Sequence, residues 1–198
     1  MKRNRQEEIE AMTYQSVTPT SNDSLETFED LRNAQSEIAL EAAASGSKIW
    51  RHKTLAQRVD VAAFAAAIMR ARVDEFARPV MAEMGKDIDE ARREVLFGAE
   101  IIDFCAESSG RYLAPEGIKP DSGHEAAEGR RPVLFCVQAR NCSYDQLARF
   151  AAPNLVAGNV VMVKHAESVP ESAIAFEMLW LEAGAPRGAF TNLLIADD

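Results

Sequence analysis

The feature that most constrains the fold is an alternation of short apolar runs and helix-like segments in the last third of the chain. The apolar runs are VLFCVQ at 133–138, NVVMVKHA at 159–166 and FTNLLIA at 190–196. The segments between them, 144–157 and 171–183, have helical composition and are each followed by a glycine. Strands that alternate with helices form a parallel sheet with right-handed crossovers. The sequence therefore predicts an α/β fold that contains the start of a doubly wound, Rossmann-like sheet.

Helices are predicted in the part of the chain that precedes this sheet. Thr54 and Gln57 have the spacing of a capping box, which predicts a helix start. Apolar residues then recur at helical spacing. This helix is predicted to break near Pro79 and to end at Gly85.

A further helix is predicted to begin after Asp87, which can act as its N-cap. Helical spacing predicts a buried stripe along it: Ile88, Ala91, Val95, Ala99, Ile102 and Ala106. The charged positions between them predict a solvated face: Asp89, Glu90, Arg92, Arg93 and Glu94. Cys105 lies on the side of the buried stripe and is expected to be a small core residue.

The chain divides into four predicted segments. Residues 1–22 carry few large apolar residues and are expected to be a flexible tail. The helical part spans 23–121, and a connecting segment that contains glycine and proline spans 122–132. Residues 133–198 hold three predicted strands, and a sheet of three parallel strands is expected to be incomplete, with an unpaired edge.

Composition limits the function classes. The 22 Lys and Arg against 31 Asp and Glu give a formal net charge of −9, which disfavours nucleic acid and anionic membranes as partners. The longest apolar run, at 61–69, is far short of the ~20 residues of a membrane span. The three cysteines and three histidines lack the spacing of a metal site. An odd number of cysteines favours free thiols in a reducing compartment, so we predict a cytoplasmic protein without a metal site.

Polar side chains mark the ends of two predicted strands. Open α/β sheets bind ligands at the carboxyl ends of their strands, which fall here after Gln138 and after Lys164. The amine of Lys164 and the carboxylate of Glu167 can both reach the hydroxyl groups of a ribose. A lysine at a strand end is also a common solvated charge, so this pattern alone does not identify a cofactor.

Three stretches resemble the aldehyde dehydrogenase family, and in particular its succinate-semialdehyde dehydrogenase-like branch. They are EMGKDIDEAR at 83–92, QLARFAAPNLVAGNVVMVKHAESVP at 146–170 and LWLEAGAPRGAFTNLLI at 179–195. The similarity runs from about Tyr14 to the end of the sequence. It implies the N-terminal portion of an enzyme that oxidises an aldehyde, such as succinate semialdehyde, to the carboxylic acid with NAD(P).

The resemblance also implies roles for residues after the first strand. The family's Asn, whose side-chain amide helps to hold the reaction's oxyanion, falls on Asn141. Gln138, Ala139 and Arg140 precede it and are expected to contact the coenzyme. The family has Pro-Trp where this chain has Ala139-Arg140.

The end of the second strand carries the expected cofactor preference. The family's coenzyme-ribose Lys falls on Lys164, and an acidic position three residues further on falls on Glu167. A carboxylate there accepts hydrogen bonds from ribose hydroxyls and repels a 2′-phosphate, so the resemblance implies NAD in preference to NADP.

Three readings of the isolated chain stay open. The family's nucleophilic Cys and general-base Glu fall on no position of this sequence, so the isolated chain is expected to be inactive. It is alternatively an interaction protein that forms a homo- or hetero-oligomer with a full-length paralogue, whose assembly strand corresponds to 122–133. A third reading makes Cys142 a nucleophile paired with His165, but the sequence places no orienting carboxylate beside them.

Overall fold

The computed structural model describes residues 13–17, 19, 24–29, 33–114, 133–138 and 143–195. Its first elements are two strands and four helices: β1 (Thr13–Val17), β2 (Ser24–Glu29), α1 (Asn33–Trp50), α2 (Leu55–Ala71), α3 (Val73–Met84) and α4 (Ile88–Tyr112). Strands and helices then alternate: β3 (Val133–Val137), α5 (Ser143–Ala157), β4 (Val160–Lys164), α6 (Pro170–Glu182) and β5 (Phe190–Leu193).

The three later strands form one parallel sheet in the order β3-β4-β5. Every residue of the central strand β4 is buried, whereas β3 exposes Phe135 (57%) and Val137 (64%). Helices α5 and α6 connect the strands, as the alternating pattern predicts. The predicted fold class, N-terminal helices followed by the start of a parallel α/β sheet, is confirmed.

The first two strands form an antiparallel hairpin in which Thr13 pairs with Glu29. The sequence does not predict this hairpin, because residues 13–17 fall in the segment expected to be a flexible tail. The proposed segment boundaries themselves stay predictions.

The helix-start signals are confirmed, but one predicted break is wrong. The Thr54 hydroxyl accepts a hydrogen bond from the Gln57 N–H (3.2 Å), and the Gln57 side chain accepts one from the Thr54 N–H (2.9 Å). Gly85 ends α3 in the left-handed conformation (φ 68). The break lies at Arg72 (φ −119, ψ 33), whereas the chain stays helical through Pro79. A proline removes only one hydrogen bond from a helix, and here the helix tolerates that loss.

The predicted stripe of α4 is buried from Ala91 to Ala106, and Ile88 packs against the core as a half-buried residue. The Asp87 side chain accepts a hydrogen bond from the Asp89 N–H (2.9 Å) and caps the helix as predicted. Glu94 contradicts the prediction of a solvated face, because it is buried. Its partners are described with the candidate site below.

An aromatic cluster joins the helical part to the sheet. The ring of Tyr144 on α5 lies 5.8 Å from that of Phe76 on α3 and 6.0 Å from that of Phe176 on α6. Phe176 in turn lies 5.4 Å from Phe190 on β5. All four side chains are buried, so the helical part and the sheet share one hydrophobic core.

Helix α1 approaches the turn before β5 closely enough to require glycine there. Gly188 has φ 81, and a Cβ atom on it would overlap the Ala42 carbonyl of α1. A Cβ on Gly46 would lie 2.5 Å from the Arg187 carbonyl oxygen. The backbones of α1 and this turn are therefore in direct contact.

None of the helices in the described ranges is both long and apolar enough to cross a membrane.

Candidate functional site

The carboxyl ends of β3 and β4 lie side by side at one edge of the sheet. Val137 is the register partner of Lys164, and the Gln138 N–H donates a hydrogen bond to the Lys164 carbonyl (2.9 Å). Two of the predicted coenzyme residues, Gln138 and Lys164, are thus brought together. This is the edge at which open α/β sheets bind ligands.

Lys164 and Glu167 differ in their surroundings. Lys164 is only 5% exposed, so it is not the solvated surface charge that its position at a strand end would allow. Glu167 is half-buried in the turn that follows β4. A buried ammonium group at this edge is a strong donor for oxygen atoms of a ligand, since little water competes for it.

Three of the predicted site residues, Ala139, Arg140 and Asn141, lie outside the described residues. Cys142 does too, so its pairing with His165 is not tested. His165 is itself buried, and its Nδ1 accepts a hydrogen bond from the Ala166 N–H (2.8 Å). That nitrogen already has a backbone partner.

Glu83, which the sequence did not single out, occupies the start of α6. Its Oε1 accepts a hydrogen bond from the Glu171 N–H (2.7 Å), and its Oε2 accepts from the Ser172 N–H (3.1 Å) and hydroxyl (2.6 Å). Val169, at the N-cap position of α6, makes no side-chain cap hydrogen bond. The sequence signal for a distant cap is therefore a helix start without a capping side chain of its own.

Burial changes the acidity of this site. Glu83 is 3% exposed, and burial raises its pKa to about 7 although the three hydrogen bonds act in the opposite direction. The negative charge of Glu171 raises it further. Burial also raises the pKa of Tyr144 well above its ordinary value, and the charge of Glu83 adds to that effect. With a pKa of about 7, the Glu83 carboxyl group ionises near neutral pH.

Glu94 holds the start of α5 in the same way. Its Oε1 accepts a hydrogen bond from the Tyr144 N–H (3.0 Å), and its Oε2 accepts one from the ammonium group of Lys86 (2.5 Å). These partners explain why Glu94 is buried: a charged side chain leaves water when an opposite charge and a helix N terminus replace its hydration.

The two glutamates together affect where an anion can bind. At the starts of α5 and α6, the N–H groups of Tyr144, Glu171 and Ser172 already have glutamate partners. These three N–H groups are therefore not open to a phosphate group.

The described thiols and acidic groups do not form a second catalytic cluster. Burial raises the pKa of the Cys105 and Cys136 thiols, which disfavours the reactive thiolate. Cys105 is half-buried and packs against the core, as expected from its place on α4. The described part of the chain contains no group of three or more His, Cys, Asp or Glu side chains that could hold a metal ion.

A cleft of about 470 Å³ lies between α1, α6 and β5, away from the predicted residues. Glu177, Arg187 and Thr191 are among its lining residues, and none of the predicted site residues is. Glu177 accepts a hydrogen bond from the Asn192 N–H (2.9 Å), and burial raises its pKa. This carboxylate therefore supports β5 from inside the chain.

Comparison with known proteins decides the family. The sequence matches the model of the aldehyde dehydrogenase family over residues 6–197. The chain belongs to the aldehyde dehydrogenase family.

Relatives of this family member include succinate-semialdehyde dehydrogenases. It is 37% identical over 184 residues to the succinate-semialdehyde dehydrogenase (NADP(+)) of Deinococcus radiodurans, with 92% of this chain and 38% of the relative covered. It is 33% identical over 192 residues to succinate-semialdehyde dehydrogenase (NADP(+)) 1 of Mycobacterium ulcerans, with 93% and 42% covered.

A solved structure supports the same relationship. The succinic semialdehyde dehydrogenase of Streptococcus pyogenes, in complex with NADP+, superposes with a TM-score of 0.86 at 35% identity. The match covers 92% of this chain and 41% of that one. This aldehyde dehydrogenase chain therefore spans about two fifths of the length of the relatives that it matches.

The expected preference for NAD over NADP is wrong. The Deinococcus and Mycobacterium relatives are named as NADP(+) enzymes, and the Streptococcus structure contains NADP+. The expectation rested on repulsion between the Glu167 carboxylate and a 2′-phosphate. One carboxylate at the strand end is therefore not a sufficient basis for choosing between the two coenzymes.

Proposed function

We propose that this chain is the coenzyme-binding, N-terminal portion of an NADP-dependent aldehyde dehydrogenase that oxidises succinate semialdehyde to the carboxylic acid. The observation that carries the proposal is the collinear similarity to NADP(+) enzymes of that name over 92% of the chain. The proposed setting is the cytoplasm, on the sequence evidence for free cysteines.

The residues at the strand ends fit a phosphate-bearing ribose. The buried Lys164 ammonium supplies positive charge and hydrogen-bond donors, and Glu167 supplies acceptors for ribose hydroxyls. Gln138 adjoins Lys164 across the strand pair, and Ala139 and Arg140 follow it in sequence. NADP would supply the hydride acceptor at this site.

Asn141 is the proposed catalytic residue of this portion. Its side-chain amide donates a hydrogen bond to the oxygen that becomes negatively charged when a nucleophile adds to the aldehyde carbon. The family's nucleophilic Cys and general-base Glu fall on no residue of this chain. We therefore propose that the isolated chain does not turn over aldehyde.

A chimaera tests the proposal. The 198 residues are fused to the remaining part of the Deinococcus radiodurans relative, and NADPH formation from succinate semialdehyde is measured for the chimaera and for the isolated chain. We expect turnover by the chimaera alone. Asn141→Ala should lower kcat of the chimaera by about 10²–10³-fold, the usual effect of losing one oxyanion donor.

Matched measurements make the test decisive. Asn154→Ala, on the far part of α5, serves as the control substitution and should keep kcat within about twofold. Turnover by the isolated chain would contradict its proposed inactivity. A folded chimaera that oxidises no succinate semialdehyde with NADP would contradict the proposed function.

A second candidate function is association with a full-length aldehyde dehydrogenase. In the described part of the chain β3 pairs only with β4, and it exposes Phe135 and Val137. An exposed strand edge is a template for pairing with another chain. Co-expression with a full-length enzyme followed by size-exclusion chromatography tests this function: comigration supports it, and a separate monomer or aggregate excludes it.

A further inference from the structure

Two buried glutamates from the helical part hold the helices that follow the candidate coenzyme edge. Glu83, on α3, binds the start of α6, and Glu94, on α4, binds the start of α5. Each bond joins elements that are far apart in sequence. The two helices of the α/β part are therefore fixed by side chains that lie outside it.

The connection between β4 and α6 is thereby held at each end. Lys164 is fixed by its place in β4, which pairs with β3 and β5, and the next helix is fixed by the bonds of Glu171 and Ser172 to Glu83. The turn between these two anchors contains Glu167.

Glu94 binds the start of α5 in the same way, through the Tyr144 N–H. It provides a second site at which the loss of such a bond can be measured.

We propose that Glu83 is a positioning residue, which sets the placement of the turn between β4 and α6 that binds coenzyme. The proposal rests on the proposed function for what this turn binds. It assigns to Glu83 the task that an N-cap side chain performs in a helix that caps itself.

The first experiment follows backbone amides of the whole chain by NMR and hydrogen exchange. In Glu83→Ala we expect exchange at Glu171 and Ser172 to accelerate at least about tenfold, since each amide loses its hydrogen bond to Glu83. The amide signals of residues 165–168 should shift with them. In Glu94→Ala the acceleration should appear at Tyr144. Glu83→Gln keeps one of the two acceptor oxygens, so it should slow exchange again at only one of the two amides and shift the signals less than Glu83→Ala.

A matched control separates positioning from general stability. Glu177→Ala removes a buried glutamate that also binds a distant backbone N–H, but that N–H belongs to Asn192 on β5. Glu177→Ala should leave Glu171, Ser172 and the signals of 165–168 unchanged. If Glu83→Ala does not fold, Glu83→Asp, whose carboxylate is one methylene shorter, replaces it with the same expected shifts.

The second experiment titrates NADP into the same samples. Weaker binding by at least about tenfold in Glu83→Ala, with no such loss in Glu177→Ala, supports the proposal. Two results would overturn it. One is that Glu83→Ala changes neither the amide signals of 165–168 nor the exchange rates. The other is that these amide signals shift while the affinity for NADP stays the same. If the wild-type chain binds no NADP, the coenzyme part of the proposed function fails, and the amide shifts decide the positioning role.

Discussion

Replacing Glu83 by glutamine is expected to remove a pH-dependent loss of stability between about pH 4.5 and 7. Glutamine has nearly the size of the acid and keeps one acceptor oxygen, but it cannot ionise. Its amide nitrogen cannot accept a hydrogen bond, so the substitution also carries a constant cost that does not depend on pH. In the wild type, the buried side chain of Glu83 becomes negatively charged once the pH exceeds its folded-state pKa. The comparison of the two proteins therefore isolates the cost of that charge.

The magnitude follows from the two pKa values of Glu83. Burial raises the pKa from 4.5 to about 7, so the folded protein binds this proton more tightly than the unfolded chain. The stabilisation by the bound proton is complete below about pH 4.5 and is lost as the pH rises to about 7. At about 1.4 kcal/mol per pH unit, the change is on the order of 3 kcal/mol.

Urea unfolding followed by tryptophan fluorescence measures this effect across the pH range. The free energy of unfolding of the wild type minus that of Glu83→Gln should fall by on the order of 3 kcal/mol from pH 4.5 to above pH 7. Glu177, whose pKa is also raised by burial, titrates in both proteins and cancels in the difference. A difference that stays constant within about 0.5 kcal/mol would refute the reasoning, because the three hydrogen bonds would then fully offset the effect of burial on the pKa.

Three further substitutions, two of them with a matched control, test the packing and the site. Gly188→Ala should lower the free energy of unfolding by at least about 3 kcal/mol, because Gly188 has a positive φ and the new Cβ would overlap a carbonyl of α1. Its control is Gly110→Ala, where the space is open: this change should raise the free energy of unfolding by about 0.5–1 kcal/mol in the same urea assay. Phe176→Ala should cost about 3–5 kcal/mol because the ring is fully buried among aromatic neighbours, and Met178→Ala on the exposed face should change stability by less than about 0.5 kcal/mol. In the chimaera, Lys164→Ala should raise KM for NADP at least about tenfold, since it removes a buried cation from the coenzyme edge; an unchanged KM would exclude its proposed role.

The sequence predicts the elements of this fold well because their signals are local. The Thr54 capping box, the Asp87 cap and the left-handed Gly85 each involve residues within a few positions of one another. The alternation of strands and helices fixes the parallel sheet for the same reason.

The site depends on contacts that local patterns do not encode. Glu83 meets Ser172 across 89 positions, and Glu94 meets Tyr144 across 50. In a helical pattern Glu94 resembles its charged neighbours, so nothing in the pattern distinguishes the one residue that a distant helix will bury. The NAD prediction was wrong for a related reason: it rested on the single carboxylate of Glu167, whereas the fit of a 2′-phosphate depends on all the groups around it.

The aromatic cluster has a consequence for synthesis on the ribosome. Phe76 and Tyr144 belong to the same core as Phe176 and Phe190, which emerge much later. At the usual rates of translation the early helices wait on the order of 10 s for the last ring. During that interval the early helices can pack on one another, but the apolar surface that α6 and β5 cover stays exposed. Chaperones that bind exposed hydrophobic segments are therefore expected to act on this nascent chain.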